Sequence, residues 1–182
     1  MLNPSIFFTG FQTFFVSRQE VSTPIIGELM RIKKVLYEEY SIINPLVLSI
    51  GFGSRIIINS AWSEEEFVEI VDYDPIRNIV LVIGRSEPHE ETPLHWMIHR
   101  AREDVQVIIE ILNTEVSETL KEKIHSTGEI KKYPPLDYIK KVLKTLGRNN
   151  SVIIEGQSVL FTGNNVREIM DNIRDKFGCE KT

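Results

Sequence analysis

The sequence predicts an α/β fold of the α+β kind, with one mixed, largely antiparallel sheet covered by helices in a single domain spanning residues 1–182. Three observations carry this. Apolar, β-branched runs come in pairs split by turn sequences, at 46–50 with 55–59, at 67–73 with 79–83, and within 152–163, and closely spaced strands of this kind pair antiparallel. Amphipathic helical patterns precede, divide and follow these pairs, supplying apolar faces to cover a sheet. Finally, ETPLHWMIHRAREDVQVIIEIL (91–112) changes period near Asp104, passing from an amphipathic helix into a mostly buried strand.

Each element has a local reason. The stretch 6–16 is rich in phenylalanine (Phe7, Phe8, Phe11, Phe14, Phe15) at roughly helical spacing. It is too short and too interrupted by polar residues to span a bilayer, and it has no basic n-region. We read residues 1–22 as an apolar extension that packs on the domain or on a neighbouring subunit. Thr23 as N-cap and Pro24 at the first helical position open a helix with Ile25, Leu29, Ile32, Leu36 and Tyr40 on one stripe. It ends before Asn44-Pro45, where the residue before proline disfavours helical geometry.

Strands at 46–50 and 55–59 are joined through Gly51-Phe52-Gly53-Ser54. Ser63-x-x-Glu66 is expected to cap one short helical turn, and Asp74-Pro75-Ile76-Arg77-Asn78 to turn 67–73 back onto 79–83. A helix begun by Glu91 would place Leu94, Met97, Ile98 and Ala101 on an apolar face, with Glu91, His95 and Arg102 along its edge. In the strand after Asp104, alternation puts Glu110 and Leu112 on the same side. Val116, Leu120 and Ile124 keep helical spacing, and 136–146 is a further amphipathic helix stopped by Gly147. Gly156-Gln157 turns the last hairpin, and Asn165-x-x-Glu168 caps a closing helix with Val166, Ile169, Ile173 and Phe177 inward, ended by Gly178.

A net charge of -5 excludes a dedicated nucleic-acid or anionic-membrane binder, which needs a clustered positive surface. One local exception runs from Lys121 to Arg148, where basic residues outnumber acidic ones. It reads as a solvated helix face or as an anion-binding patch. The single cysteine, Cys179, forbids an intrachain disulfide, so a cytoplasmic location is expected.

The stretch 91–112 resembles the class II aldolase/adducin family, whose hallmark runs from Ser-Ser-Glu ahead of "TPLH", through Arg-x-x-Asp-Val, to a strand carrying His-x-His. Thr92-Pro93-Leu94-His95 matches the first flank, Arg102-Glu103-Asp104-Val105 resembles the second with one residue fewer between arginine and aspartate, Glu91 matches the catalytic glutamate, and the resemblance covers roughly 23–177. It implies a three-layer fold, a homo-oligomeric ring with clefts between subunits, and a divalent metal held by three histidines. The metal polarises a substrate carbonyl and stabilises the enediolate while the glutamate moves protons. In this chain those three ligand positions are Glu110, Leu112 and Gln157. Gly51, Gly53 and Ser54 fall on the family's phosphate-holding turn, while His89 and Glu90 replace its two phosphate-binding serines. These five are the candidate contacts for a small anionic ligand.

Leucine offers a metal no donor and a glutamine amide is a poor one. The expectation is a non-catalytic interaction or small-molecule binding module without a cofactor, as the adducin branch implies the scaffold allows. The alternative is a remodelled site in which His89, Glu91, His95, His99 and Glu110 hold a divalent metal such as zinc. In that case the chain is a lyase or epimerase acting on a small phosphorylated sugar.

Overall fold

The computed structural model describes residues 10–177. The elements run β1 (Gln12–Ser17), α1 (Pro24–Tyr40), β2 (Leu46–Phe52), β3 (Arg55–Asn59), β4 (Phe67–Asp74), β5 (Ile79–Ile83), α2 (Thr92–Ala101), β6 (Val107–Leu112), α3 (Glu118–Lys123), α4 (Pro135–Leu146), β7 (Ser151–Ile154), β8 (Ser158–Gly163) and α5 (Val166–Phe177). The strands form one 8-stranded sheet in the order β1-β5-β4-β3-β2-β6-β8-β7. Every pairing is antiparallel except β1 with β5.

Alternation along the strands divides the side chains between two helical layers. On one face, Leu48, Ile57, Val107, Ile109 and Phe161 meet Leu29, Ile32 and Leu36 of α1, Leu120 of α3, and Ile169 and Ile173 of α5. On the other, Ile108, Val152, Ile154 and Leu160 meet Leu94 and Ile98 of α2 and Tyr138, Ile139 and Val142 of α4. Trp96 of α2 covers the rest of that face, above Val47, Ile58, Val68 and Val82. Gly163 admits the close approach of α5 to β8, since a Cβ there would lie 2.9 Å from Ile169 Cβ.

Four expectations change. The stretch around Phe11–Phe15 is not helical: residues 12–17 form β1, with Phe14↔Leu81 and Phe15↔Val82 in register with β5. A strand alternates with period two, so Phe14 is turned outward (66% exposed) while Phe11 and Phe15 pack on the Trp96 cluster. Phe7, Phe8, Gly178 and Cys179 lie outside the described residues. The Ser63–Glu66 segment is a turn rather than a helical one, because Glu64 is drawn away to accept from Tyr37 Oη (2.7 Å) and Leu46 N (2.9 Å). Ala101 is exposed, and Trp96, not Ala101, completes the buried face of α2. The strand after Asp104 begins at Val107, with Val105 buried ahead of it beneath α2 and α4.

Candidate functional site

Beneath α2, five polar side chains meet in an otherwise apolar layer. His95 and His99, one helical turn apart, both face β2 and β6. Ser49 of β2 lies between them, its Oγ 2.8 Å from His95 Nδ1 and 3.0 Å from His99 Nε2. The other His95 nitrogen, Nε2, lies 3.1 Å from Glu110 Oε2 on β6, and Ser158 of β8 donates to Glu110 Oε1 at 2.5 Å. His95, Ser49 and Glu110 are fully buried. Glu110 and Leu112 do share a sheet face, as alternation predicts; Leu112 packs on the Trp96 cluster.

The direction of this chain follows from its far end. His99 Nδ1 lies 3.3 Å from the carbonyl oxygen of Val105, which can only accept, so Nδ1 carries the proton and Nε2 is left as an acceptor. Ser49 must then donate to His99, and its oxygen accepts from His95 Nδ1–H. A neutral His95 now has only a lone pair on Nε2, which the Glu110 carboxyl has to meet with an O–H. Every donor and acceptor is satisfied if Glu110 is protonated and both imidazoles are neutral. Burial pushes in the same direction, raising Glu110 to about 7 and lowering His95 to about 4 and His99 to about 3. The His95–Glu110 contact has salt-bridge length, but in this dry layer it is an acid donating to a neutral base.

Ser49, His95 and Glu110 thus carry the residue types of a Ser-His-acid triad. They do not make a nucleophile. Ser49 Oγ has both imidazoles as partners and no exposed surface, so no substrate carbonyl can approach it.

Glu91 ends the cluster toward α4. Its carboxylate accepts from Lys132 Nζ and, at 3.3 Å, from Tyr138 Oη, while Lys132 also reaches Glu90 Oε1 at 3.1 Å. Burial raises Glu91 to about 7 against the pull of Lys132. Burial opposes the charge on Lys132, but Glu91 and Glu90 hold its pKa above the usual lysine range. Glu91, Lys132 and Tyr138 line a narrow pocket of about 20 Å³, room for a water molecule, with Phe11 and Leu94 on its apolar side. A carboxyl poised near neutrality beside a phenol has the makings of an acid–base pair.

The remaining candidates do not converge. Gly51 lies inside β2 and its N–H is spent on Gln106 O at 2.8 Å, so it is no part of an anion-holding turn. Gly53 and Ser54 turn β2 into β3; Gly53 stands six residues along β2 from Val47, the partner of Glu110, or about 20 Å at strand rise. The Ser54 carbonyl accepts from Arg100. His89 is held neutral, lowered to about 4 by burial, and its Nδ1 accepts from Glu91 N at 3.2 Å, closing the start of α2. Glu90 brings a negative charge to the pocket mouth.

A divalent ion fits poorly. Both Glu110 oxygens and both His95 nitrogens already have partners, and Ser158, rather than Gln157, is the residue on Glu110. Gln157 is half-buried in the hairpin turn, its backbone bonded to Asn113 and Ile154. Among the described residues, no group of three or more His, Cys, Asp or Glu side chains is arranged to hold a metal.

Sequence reasoning missed Ser49, Ser158, Lys132 and Tyr138. Only the position of Ser49 in an otherwise apolar strand (LVLSI) is a signal, since a hydroxyl there needs a buried partner.

No protein-family model and no curated protein matches the chain. Solved structures do. An L-fuculose 1-phosphate aldolase superposes with a TM-score of 0.59 at 16% identity, over 87% of this chain and 90% of that one. An aldolase II superfamily protein from Pseudomonas syringae gives 0.58 at 14% identity, over 85% and 73%. The L-fuculose 1-phosphate aldolase from Glaciozyma antarctica PI12 gives 0.56 at 12%, over 88% and 74%. The fold is therefore the class II aldolase fold. Identities this low speak for the fold alone.

Proposed function

We propose that this chain is a non-catalytic class II aldolase-like protein of the cytoplasm, a binding module without a resident metal that works as a homo-oligomer. One observation carries the reading. The Glu110 carboxyl, at a position where the resemblance places a metal ligand, is closed off by His95 and Ser158. Uncoupling it for a cation would leave buried donors and acceptors unpaired, at a cost of several kcal/mol on the order of 1–3 per group. Leu112 beside it adds an apolar wall. Exposed Phe14 and Val16 on β1, the edge strand among the described residues, support the oligomer, since they offer a second copy both apolar surface and a strand edge that no other described strand pairs.

The test is elemental analysis of the purified protein after dialysis, with an assay for cleavage of L-fuculose 1-phosphate. We expect far less than one equivalent of zinc and no cleavage with zinc added. One tightly held equivalent, released by Glu110→Gln or His95→Ala, would overturn the proposal.

A second reading rests on Glu91. Its carboxyl, raised to about 7 and bonded to Tyr138, has the acid–base character of a metal-free lyase or epimerase that moves a proton on a small phosphorylated sugar. Uptake of solvent deuterium into such a sugar, abolished by Glu91→Gln, would move the assignment to this reading.

A further inference from the structure

Away from Glu91, the end of α3, the loop before β7 and the last turns of α5 line a groove of about 350 Å³. Lys123, Arg148 and Lys176 line it together with Asn149, Asn150 and Asn172, and among the described residues no carboxylate does. In a chain of net charge -5, three cations around a concavity that no described carboxylate lines make a local reversal of the field.

The groove wall is held in place by bonds that consume its acceptors. Arg102, gripped by Asp104 at 2.6 and 2.7 Å, donates to the carbonyls of Gly147 (2.8 Å) and Asn149 (3.1 Å). The Asn150 carbonyl accepts from Thr162 N and from Asn172 Nδ2. The carbonyl oxygens of Gly147, Asn149 and Asn150 are thus committed to neighbours, so they do not compete with an anion for the donors of the groove. Lys123 donates to the Asp175 carbonyl at 3.3 Å, a bond that leaves its charge uncompensated. Lys176 is partly offset by Asp175 at 3.2 Å. Among the described residues, the Arg148 guanidinium has no hydrogen-bond or ion-pair partner.

We propose that this groove binds a small phosphate-bearing molecule with two or more negative charges. Arginine presents a planar fork matched to phosphate oxygens, the two lysines spread charge across the opening, and the carboxamides can serve a hydroxylated body. The volume lies within the range of small-ligand sites. A concavity of this size suits a compact metabolite better than a polymer that must run on. The site is independent of Glu91 and Glu110, so its fate does not depend on whether the chain is catalytic.

Titration of the full-length protein with pyrophosphate and with inorganic phosphate, followed by calorimetry and by amide shifts, tests this. At low ionic strength we expect pyrophosphate to bind below about 1 mM, more tightly than phosphate, with shifts at 123–125 and 148–151. The double variant K123Q/R148Q should weaken pyrophosphate by at least about tenfold, or about 1.4 kcal/mol. The charge-matched K140Q/K144Q, on the α4 surface, should leave it unchanged. These side chains are exposed, and the thermal melts of both variants verify that they fold. Equal weakening in both variants would mean bulk charge and would overturn the proposal. So would the absence of shifts at the groove, or tighter binding of a single-stranded oligonucleotide than of pyrophosphate.

Discussion

Because the Val105 carbonyl can only accept, the proton on His99 Nδ1 propagates through Ser49 and His95 to a protonated Glu110. This makes two substitutions at one residue behave oppositely. Glu110→Gln keeps the shape of the protonated acid: its amide donates to His95 Nε2 and its carbonyl accepts from Ser158. It should therefore change stability by less than about 1 kcal/mol, within the range of a conserved hydrogen bond. Glu110→Ala strands a buried imidazole nitrogen and a hydroxyl over a cavity, and should cost about 3 kcal/mol or more. Urea denaturation at neutral pH measures both. A loss in Glu110→Gln as large as that in Glu110→Ala would mean that Glu110 is ionised and the chain runs the other way.

At the scale of elements, what was legible in the sequence was local. The hairpins β2–β3, β4–β5 and β7–β8 declare themselves through apolar runs and turn residues a few positions apart, and α1 through Thr23, whose Oγ1 accepts from Ile25 N. The cap of α5 is equally plain, with Asn165 Oδ1 accepting from Glu168 N at 2.9 Å. The strand β1 was not legible, because its partner β5 is remote in sequence and the pairing is parallel, so no turn residue announces it. The phenylalanines suggested a helix, since Phe7, Phe11 and Phe14–Phe15 satisfy helical spacing as well as a strand's. The site was half legible for the same reason. Glu91, His95 and Glu110 stand in one continuous stretch, whereas Lys132 and Tyr138 arrive from a segment whose spacing carries no mark of them. If β1 is the interface that we propose, F14E/V16K should dissociate the oligomer to monomers while sparing the fold, as light scattering and circular dichroism would report. An assembly unchanged by these charges would place the interface elsewhere.

For the molecule as a whole, the buried titratable groups pull stability in opposite directions with pH. His89, His95 and His99 sit below the ordinary value of 6.5, at about 4, 4 and 3. The unfolded chain therefore binds protons there that the folded one refuses, and their contribution to stability is lost as pH falls below 6.5. Glu91 and Glu110 are raised from 4.5 to about 7, so the folded state holds protons that the unfolded chain has released. Their contribution is complete below 4.5 and is lost as pH rises through 7. Between 4.5 and 6.5, unfolding takes up three protons at the histidines and releases two from the glutamates. The net uptake of one makes stability fall toward acid by about 1.4 kcal/mol per pH unit. Below 4.5 the glutamates drop out and the fall steepens, while above 6.5 only their loss remains. Stability should then be greatest near pH 6.5. E91Q/E110Q removes the opposing release, so its acid limb should steepen toward three protons between pH 4.5 and 6.5, and the decline between 6.5 and 7 should vanish. Urea midpoints across pH 4 to 8 for both proteins decide it. An acid limb of the same slope in the double variant would mean that the two carboxyls are not protonated together in the folded state.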